Sequence, residues 1–254
     1  MSKRRKTLIN MNSEDTTMTI SEQLKKELQA YYNSEGIVPG DGFSCKNKDL
    51  CSGNFTRGMQ CHIGSKYGEK MRILVASLDC GNGGKGTIEE RTTKVRDKAI
   101  SGNLNLHMRG TYQALSYFLD DKEPSELVYY MVMTNTCKCC HEGTSNQMSY
   151  KYFRNCRDHT LAEISIIRPQ IILFQGKNSL AGCRDMLSPI KGIENPEVSK
   201  RLNVFNYGDL KCYAVLCIHP SARGRQYKKR VHFYKETLPK IADYIKQNDP
   251  LQIL

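Results

Sequence analysis

The sequence predicts an α/β protein, a three-layer α/β/α sandwich on a mainly parallel four-stranded sheet. Four short apolar runs carry this reading: MRILVASL (71–78), LVYYMVMT (127–134), IILFQ (171–175) and CYAVLCI (212–218). They have the length of strands and the near-continuous hydrophobicity of strands covered on both faces. The segments between them space their apolar residues as helices do, and strand-helix alternation implies crossovers and parallel neighbours. Functional loops are then expected at the C-terminal ends of the strands.

Residues 1–20 are polar and charged and read as a disordered basic arm. Ser21 is placed to cap a helix with Leu24, Leu28 and Tyr31 on one face. Residues 34–70, rich in Gly, Lys and Cys, show no clean period and read as an irregular segment tied down by something other than packing. After the first strand, residues 107–119 place Met108, Tyr112, Leu115 and Leu119 on one helical face. A further helix runs from about 149 to the break before Pro169, with Phe153, Cys156, Thr160, Ile164 and Ile167 facing the core. A long basic helix from about 227 buries Val231, Tyr234, Leu238, Ile241 and Ile245. The 254 residues suit one domain, taken as 21–254, with a Cys-rich segment at 45–61.

Thirty-eight Lys and Arg against twenty-six Asp and Glu give a net charge of +12, which favours a polyanionic partner such as nucleic acid. No apolar run approaches the roughly 20 residues of a membrane span. The basic start has no apolar stretch of a secretory signal, so a cytoplasmic location is expected. In that compartment eleven cysteines are no disulfide framework, and metal ligation becomes the first alternative to burial.

Cys45, Cys51 and Cys61 precede the first strand, Cys137, Cys139 and Cys140 follow the second, and Cys156 sits in a helix. Four soft thiolates converging from such points suit a zinc or iron-sulfur site. Cys80, Cys183, Cys212 and Cys217 are scattered, and the last two belong to a strand. The Gly-rich loop DCGNGGKGT (79–87) fails as a phosphate loop, because Gly86 stands where Ser or Thr is needed and Asp79 where the first Gly should be. It reads instead as a mobile loop that opens with a carboxylate and leads to Glu89, Glu90 and Arg91.

Four stretches in this order resemble the iron-sulfur uracil-DNA glycosylases of families 4 and 5, across roughly 45–247. They are ILVASLDCG (73–81), VYYMVMTNTCKC (128–139), CRDHTLAEISIIRPQIILFQGKNSLAG (156–182) and IHPSARGRQ (218–226). The first resembles the strand and active-site loop of that superfamily. The second resembles its strand ending in Asn, the third its cluster cysteine, helix and strand, and the last its His-Pro-Ser loop. The resemblance implies a monomeric DNA N-glycosylase with a 4Fe-4S cluster. It implies Cys139 and Cys156 as ligands with two of Cys45, Cys51 and Cys61; Cys51 and Cys61 are the chosen pair and Cys45 the alternate.

The resemblance also implies His219 as donor to the base oxygen as charge develops, and Asn135 as reader of the Watson-Crick edge of a flipped base. Asp79 is assigned to water positioning or to the oxocarbenium-like sugar. Ser77, Gly81, Asn105, Ser221, Arg223, Arg225 and Gln226 are expected at the substrate and DNA. Within 221–230, five cations and a Tyr suit phosphate gripping and duplex insertion. Lys85 is the residue available for a Schiff base with an abasic sugar.

Two departures bear on the substrate: the family's acidic position falls on Leu78, and its stacking aromatic falls near Asn105. A remodelled pocket brings modified bases into view beside uracil, among them the glucosylated hydroxymethylcytosine of some phage DNA. The role would then be antiviral defence rather than DNA repair. Two competing readings are a non-catalytic nucleic-acid-binding protein holding zinc or an iron-sulfur cluster, and a thiol-rich redox or structural scaffold.

Overall fold

The structure, a computed structural model, describes residues 18–51, 55–78, 86–141, 150–180 and 182–248. Nearly all of the expected arm, together with Asp79, Cys80, Gly81 and Lys85, lies outside the described residues.

Four parallel strands form the centre: β3 (Ile73–Ser77), β4 (Met131–Asn135), β6 (Ile171–Gln175) and β9 (Leu210–Cys217). They are the four apolar runs of the sequence. The sheet itself has seven strands in the order β2-β4-β3-β6-β9-β8-β7. β2 (His62–Ile63) adds antiparallel to β4, while β8 (Leu202–Tyr207) and β7 (Leu187–Pro189) continue antiparallel from β9. The expectation of a four-stranded, mainly parallel sheet is corrected: the sheet is mixed, because short edge strands close both of its sides.

Strand residues alternate between two cores. Ile73, Val75, Met131, Met133, Ile171, Leu173 and Val215 pack under α2 (Ile88–Ser101), α3 (Leu106–Leu119) and the C-terminal helix. Leu74, Ala76, Val132, Ile172, Phe174 and Ala214 face α1 (Ile20–Ser34) and α6 (Arg157–Ile167). Helices therefore cover both faces, as the continuous hydrophobicity of the strands requires.

Several element ends differ from the sequence reading for local reasons. Thr19, not Ser21, caps α1, and with Glu22 it forms a reciprocal capping box. Residues 88–101, part of the stretch after the presumed loop, form α2, which opens on a second capping box of Thr87 and Glu90. Residues 124–127 form a helical turn, α4, that starts on Pro124, so the second parallel strand begins only at Met131. The helix expected from 149 is two, α5 (Tyr150–Asn155) and α6, broken at Cys156. The C-terminal helix runs as α8 (Tyr227–His232), a π-helical turn (Phe233–Thr237) and α9 (Leu238–Gln247). Pro239 at the start of α9 has no N–H to give the preceding turn, which accounts for the widened turn there.

The Cys-rich segment is less irregular than expected. Its strand β1 (Phe55–Gly58) pairs antiparallel with β5 (Cys139–His141), tying it to the chain that follows β4. The short helix α7 (Pro196–Ser199) completes the elements. Among the described residues no helix is long and apolar enough to cross a membrane.

Candidate active site and cysteine pocket

Ser77 and Asn135 end β3 and β4 in register with each other, and Gln175 of β6 is in register with Cys217 of β9. The four strand ends thus lie side by side. Two residues beyond Cys217 stands His219, so Ser77, Asn135, Gln175 and His219 cluster at the C-terminal ends of neighbouring strands, which we refer to as the cleft.

Hydrogen bonds fix most of these side chains. Ser77 Oγ donates to Gln175 Oε1 at 2.9 Å, and Gln175 Nε2 donates to Thr111 Oγ1 of α3 at 2.8 Å. Arg91 of α2, itself buried, donates from Nη1 to the Gln60 carbonyl at 2.7 Å and from Nη2 to Asn135 Oδ1 at 2.5 Å. A guanidinium only donates, so the Asn135 atom facing it is the oxygen. The Nδ2 amide is not used by this contact, and the residue is buried.

His219 Nδ1 accepts from the Ser221 backbone N–H at 3.3 Å and lies 3.0 Å from Ser221 Oγ. An acceptor Nδ1 places the proton of the neutral ring on Nε2. The ring of His107, from the first turn of α3, lies 5.2 Å from that of His219, tilted by 41°. Burial, with His219 beside it, holds the His107 pKa down to about 4, while a hydrogen bond with Gln175 works the other way. His107 is therefore neutral near pH 7.

The α3 helix comes this close because residue 110 is Gly: a Cβ there would sit 2.7 Å from Pro220 Cβ. Beside the cleft opens a cavity of about 430 Å³ that His219, Ala222 and Gln226 help to line. Arg223, Arg225 and Gln226 are exposed on the turn that follows. Ser221 is engaged with His219, and Arg230 Nη1 donates to the Pro220 carbonyl at 3.1 Å, bracing the turn.

Two expected site positions are used otherwise. Asn105 is the N-cap of α3, its Oδ1 accepting from Met108 N at 2.9 Å, so this side chain holds the helix that delivers His107. Leu78, at the family's acidic position, packs against the cysteines, and its carbonyl accepts from Cys137 N at 3.0 Å. Sequence reasoning missed His107, Gln175 and Thr111, and it placed Arg91 at the presumed loop without its role on Asn135. A lone His in a helical pattern and a Gln closing an apolar strand carry no motif, and only the fold brings them together.

Behind Asn135 a buried network closes on itself. Lys138 donates to the Glu163 carboxylate and to the Asn135 carbonyl, and to Thr134 Oγ1 at 2.9 Å. Tyr32 and Thr134 hydroxyls donate to the two Glu163 oxygens at 2.5 and 2.7 Å.

A third, smaller core contains Cys51, Cys137, Cys139 and Cys156 with Phe43 and Phe153, and Cys45 packs against it. Cys137 and Cys139 sulfurs are 3.9 Å apart. The Lys138 backbone N–H points at Cys156 Sγ (3.5 Å), Asn155 Nδ2 at Cys51 Sγ (3.3 Å), and His159 Nε2 lies 3.3 Å from Cys45 Sγ. Hydrogen bonds from the Cys137 and then the Cys139 thiol hold the Cys156 pKa well below the usual thiol range. Burial pushes Cys45 and Cys51 up.

Cys61 is not in this pocket. It lies in the core under α1, where burial raises its thiol to about 12 beside Tyr32 and Glu163. The structure therefore brings together Cys51, Cys139, Cys156 and the alternate, Cys45, and separates Cys61 from them. Among the described residues no group of three or more His, Cys, Asp or Glu side chains is placed to hold a metal ion. No protein-family model matches this chain, and no curated protein is significantly similar to it.

Proposed function

We propose that this chain is a DNA glycosylase of the uracil-DNA glycosylase superfamily, hydrolysing the N-glycosidic bond of a flipped base and leaving an abasic site. The observation that carries the reading is a pair of prepared groups at the strand ends: Asn135 held by Arg91, and His219 held by Ser221 at Nδ1.

Hydrolysis adds water at the sugar C1′ as the bond to the base breaks, and the base departs with the bonding electron pair. His219 donates from Nε2 to the base oxygen where that negative charge gathers. Asn135 offers one amide donor and one acceptor lone pair to the base edge, which discriminates between bases by hydrogen-bond pattern. His107 adds a neutral ring against His219, on the side where the family's aromatic residue is missing. The proposal keeps Asp79 for the water or the developing sugar cation. Arg223, Arg225 and the helix behind them serve as the phosphate grip.

In this reading the cysteine pocket holds a 4Fe-4S cluster on Cys45, Cys51, Cys139 and Cys156, with Cys137 packed beside them, a reading supported by their packing in one small core. The Lys138 and Asn155 N–H groups, 3.5 and 3.3 Å from Cys156 and Cys51, donate to sulfur as groups that support thiolate ligands do, and the His159 ring nitrogen lies 3.3 Å from Cys45. A single zinc draws its donors to about 2.3 Å of one point, whereas a four-iron cube is gripped from more widely set cysteines. In this proposal the cluster organises the pocket and takes no part in the hydrolysis. Protein purified without oxygen is expected to be brown and to contain iron and acid-labile sulfide, lost in Cys156→Ser and retained in Cys61→Ser. Loss on replacing Cys61 alone would return the ligand set to the one read from the sequence.

Base release decides the activity. DNAs containing uracil, hypoxanthine, and plain or glucosylated hydroxymethylcytosine are each incubated with wild type, His219→Ala and Asn135→Ala. Release of one base is expected, falling about 10²–10³-fold without His219, the usual cost of one such donor. Its product names the substrate and thereby a repair or a phage-defence role. No release from any of these DNAs sinks the proposal.

A further inference from the structure

The cavity beside His219 is rimmed by Lys177, Arg184 and Arg201 over the apolar side chains of Phe174, Leu180 and Leu216. Arg184 also lines a second hollow of about 560 Å³, together with Tyr150, Arg154 and Arg157. Arg184 is thus common to the two hollows, and the pair, taken together as one groove, extends from His219 to Tyr150 at the start of α5.

The groove exists because residue 182 is Gly. A Cβ there would meet the Phe153 carbonyl oxygen at 3.0 Å and Arg157 Cβ at 3.1 Å. Without a side chain, the 182–186 turn lies against the α5–α6 junction and sets Arg184 beside Arg154 and Arg157.

Its charge is one-sided. Five cations line the two hollows against one carboxylate, Asp185, and Arg157 pairs with that carboxylate at 2.6 Å. Among the described residues Lys177, Arg154 and Arg184 make no ion pair. Like charges gathered in a concave surface repel one another and focus a positive potential, which a ligand with regularly spaced negative charges relieves. At the far end Tyr150 is 47% exposed and offers a flat face for a base or sugar.

The geometry points to this groove as an extended DNA subsite, with Lys177, Arg184 and Arg154 gripping successive phosphates of the strand that leads away from the reacting nucleotide. The assignment rests on the DNA reading above but not on base excision. Affinity then grows with strand length past the excised base, whatever the sequence.

Fluorescence anisotropy of a labelled oligonucleotide with ordinary bases only, titrated with salt, tests it on wild type and on Arg154→Glu/Arg184→Glu. Loss of two phosphate contacts should weaken binding about tenfold at moderate salt and flatten the log–log salt slope by between about one and two. Arg154→Gln/Arg184→Gln should fall between, and unchanged melting of both variants shows that the fold is kept. Wild-type affinity and slope in both variants would overturn the subsite, even if base release by the wild type upholds the glycosylase. Weakened binding in a protein that excises no base would uphold the subsite and remove the glycosylase. Displacement of the DNA by polyglutamate at equal charge concentration would assign the groove to an acidic polypeptide and also overturn it.

Discussion

Two polar regions flank Asn135, and they are built differently. On one side Lys138, Glu163, Thr134 and Tyr32 spend their hydrogen-bonding capacity on each other, and Lys138 and Glu163 are 1% and 0% exposed. On the other side Arg91 holds Asn135 through its Oδ1, Gln175 holds Ser77 and Thr111, and Ser221 holds His219 through its Nδ1. The closed network has the form of structure, since every buried charge finds its partner. The strand ends have the form of a site, because their side chains are oriented by neighbours from other elements. Asn135 joins them: its backbone carbonyl belongs to the network and its side chain to the cleft.

The sharpest way to break the comparison is to open the closed network. Lys138→Met leaves the Glu163 carboxylate buried without its cation and should cost about 3–5 kcal/mol of stability in chemical denaturation. Lys138→Met with Glu163→Leu removes both charges and should recover much of that loss. A single variant as stable as wild type would show that water or a proton already serves Glu163, and the network would no longer count as closed.

Two histidines sharpen the comparison by pH. His62 of β2, whose Nε2 lies 3.0 Å from the Val128 carbonyl, and His107, in the cleft, are both held down to about 4 by burial. An unfolded histidine titrates near 6.5. Between these values the unfolded chain binds more protons than the folded one, so stability falls as pH drops from about 6.5 to about 4 and levels off below. Each histidine contributes at most one proton, or about 1.4 kcal/mol per pH unit. His107→Asn should remove one of the two contributions and also alter base release, whereas His62→Asn should remove the other and leave the pH profile of base release as it is. Equal effects on both readouts would place His62 in the site beside His107.

The parallel centre was legible because β3, β4, β6 and β9 are apolar runs covered on both faces, a pattern few other arrangements produce. The edges were not. β2 has two residues, β7 ends in Pro189, and the β8 sequence LNVFNY alternates too weakly to stand out. The helix α2 hid behind the glycines that precede it, although its Thr87 and Glu90 are a capping box readable in the sequence. For the site, Asn135 and His219 were visible because each ends or follows an apolar run. His107 was not, since its place depends on how α3 leans on Pro220. The cysteines show the same limit. Cys45 and Cys61 both precede the first strand, yet only the pairing of β1 with β5 decides which neighbourhood each one reaches.

Asn105 separates cap from contact by the smallest effect. Its side chain accepts the Met108 N–H at the start of α3, and the loss of such a cap costs about 1 kcal/mol. Asn105→Ala is therefore expected to lower stability by about that amount, and Asn105→Asp, which keeps the acceptor, to restore it. Because the helix is also pinned through Gly110 on Pro220, His107 keeps its place and base release should stay at the wild-type rate. A variant of unchanged stability with a large loss of base release would instead put this side chain on the DNA. It would also extend the cleft beyond the first turn of α3, and His107 would then be its middle rather than its edge.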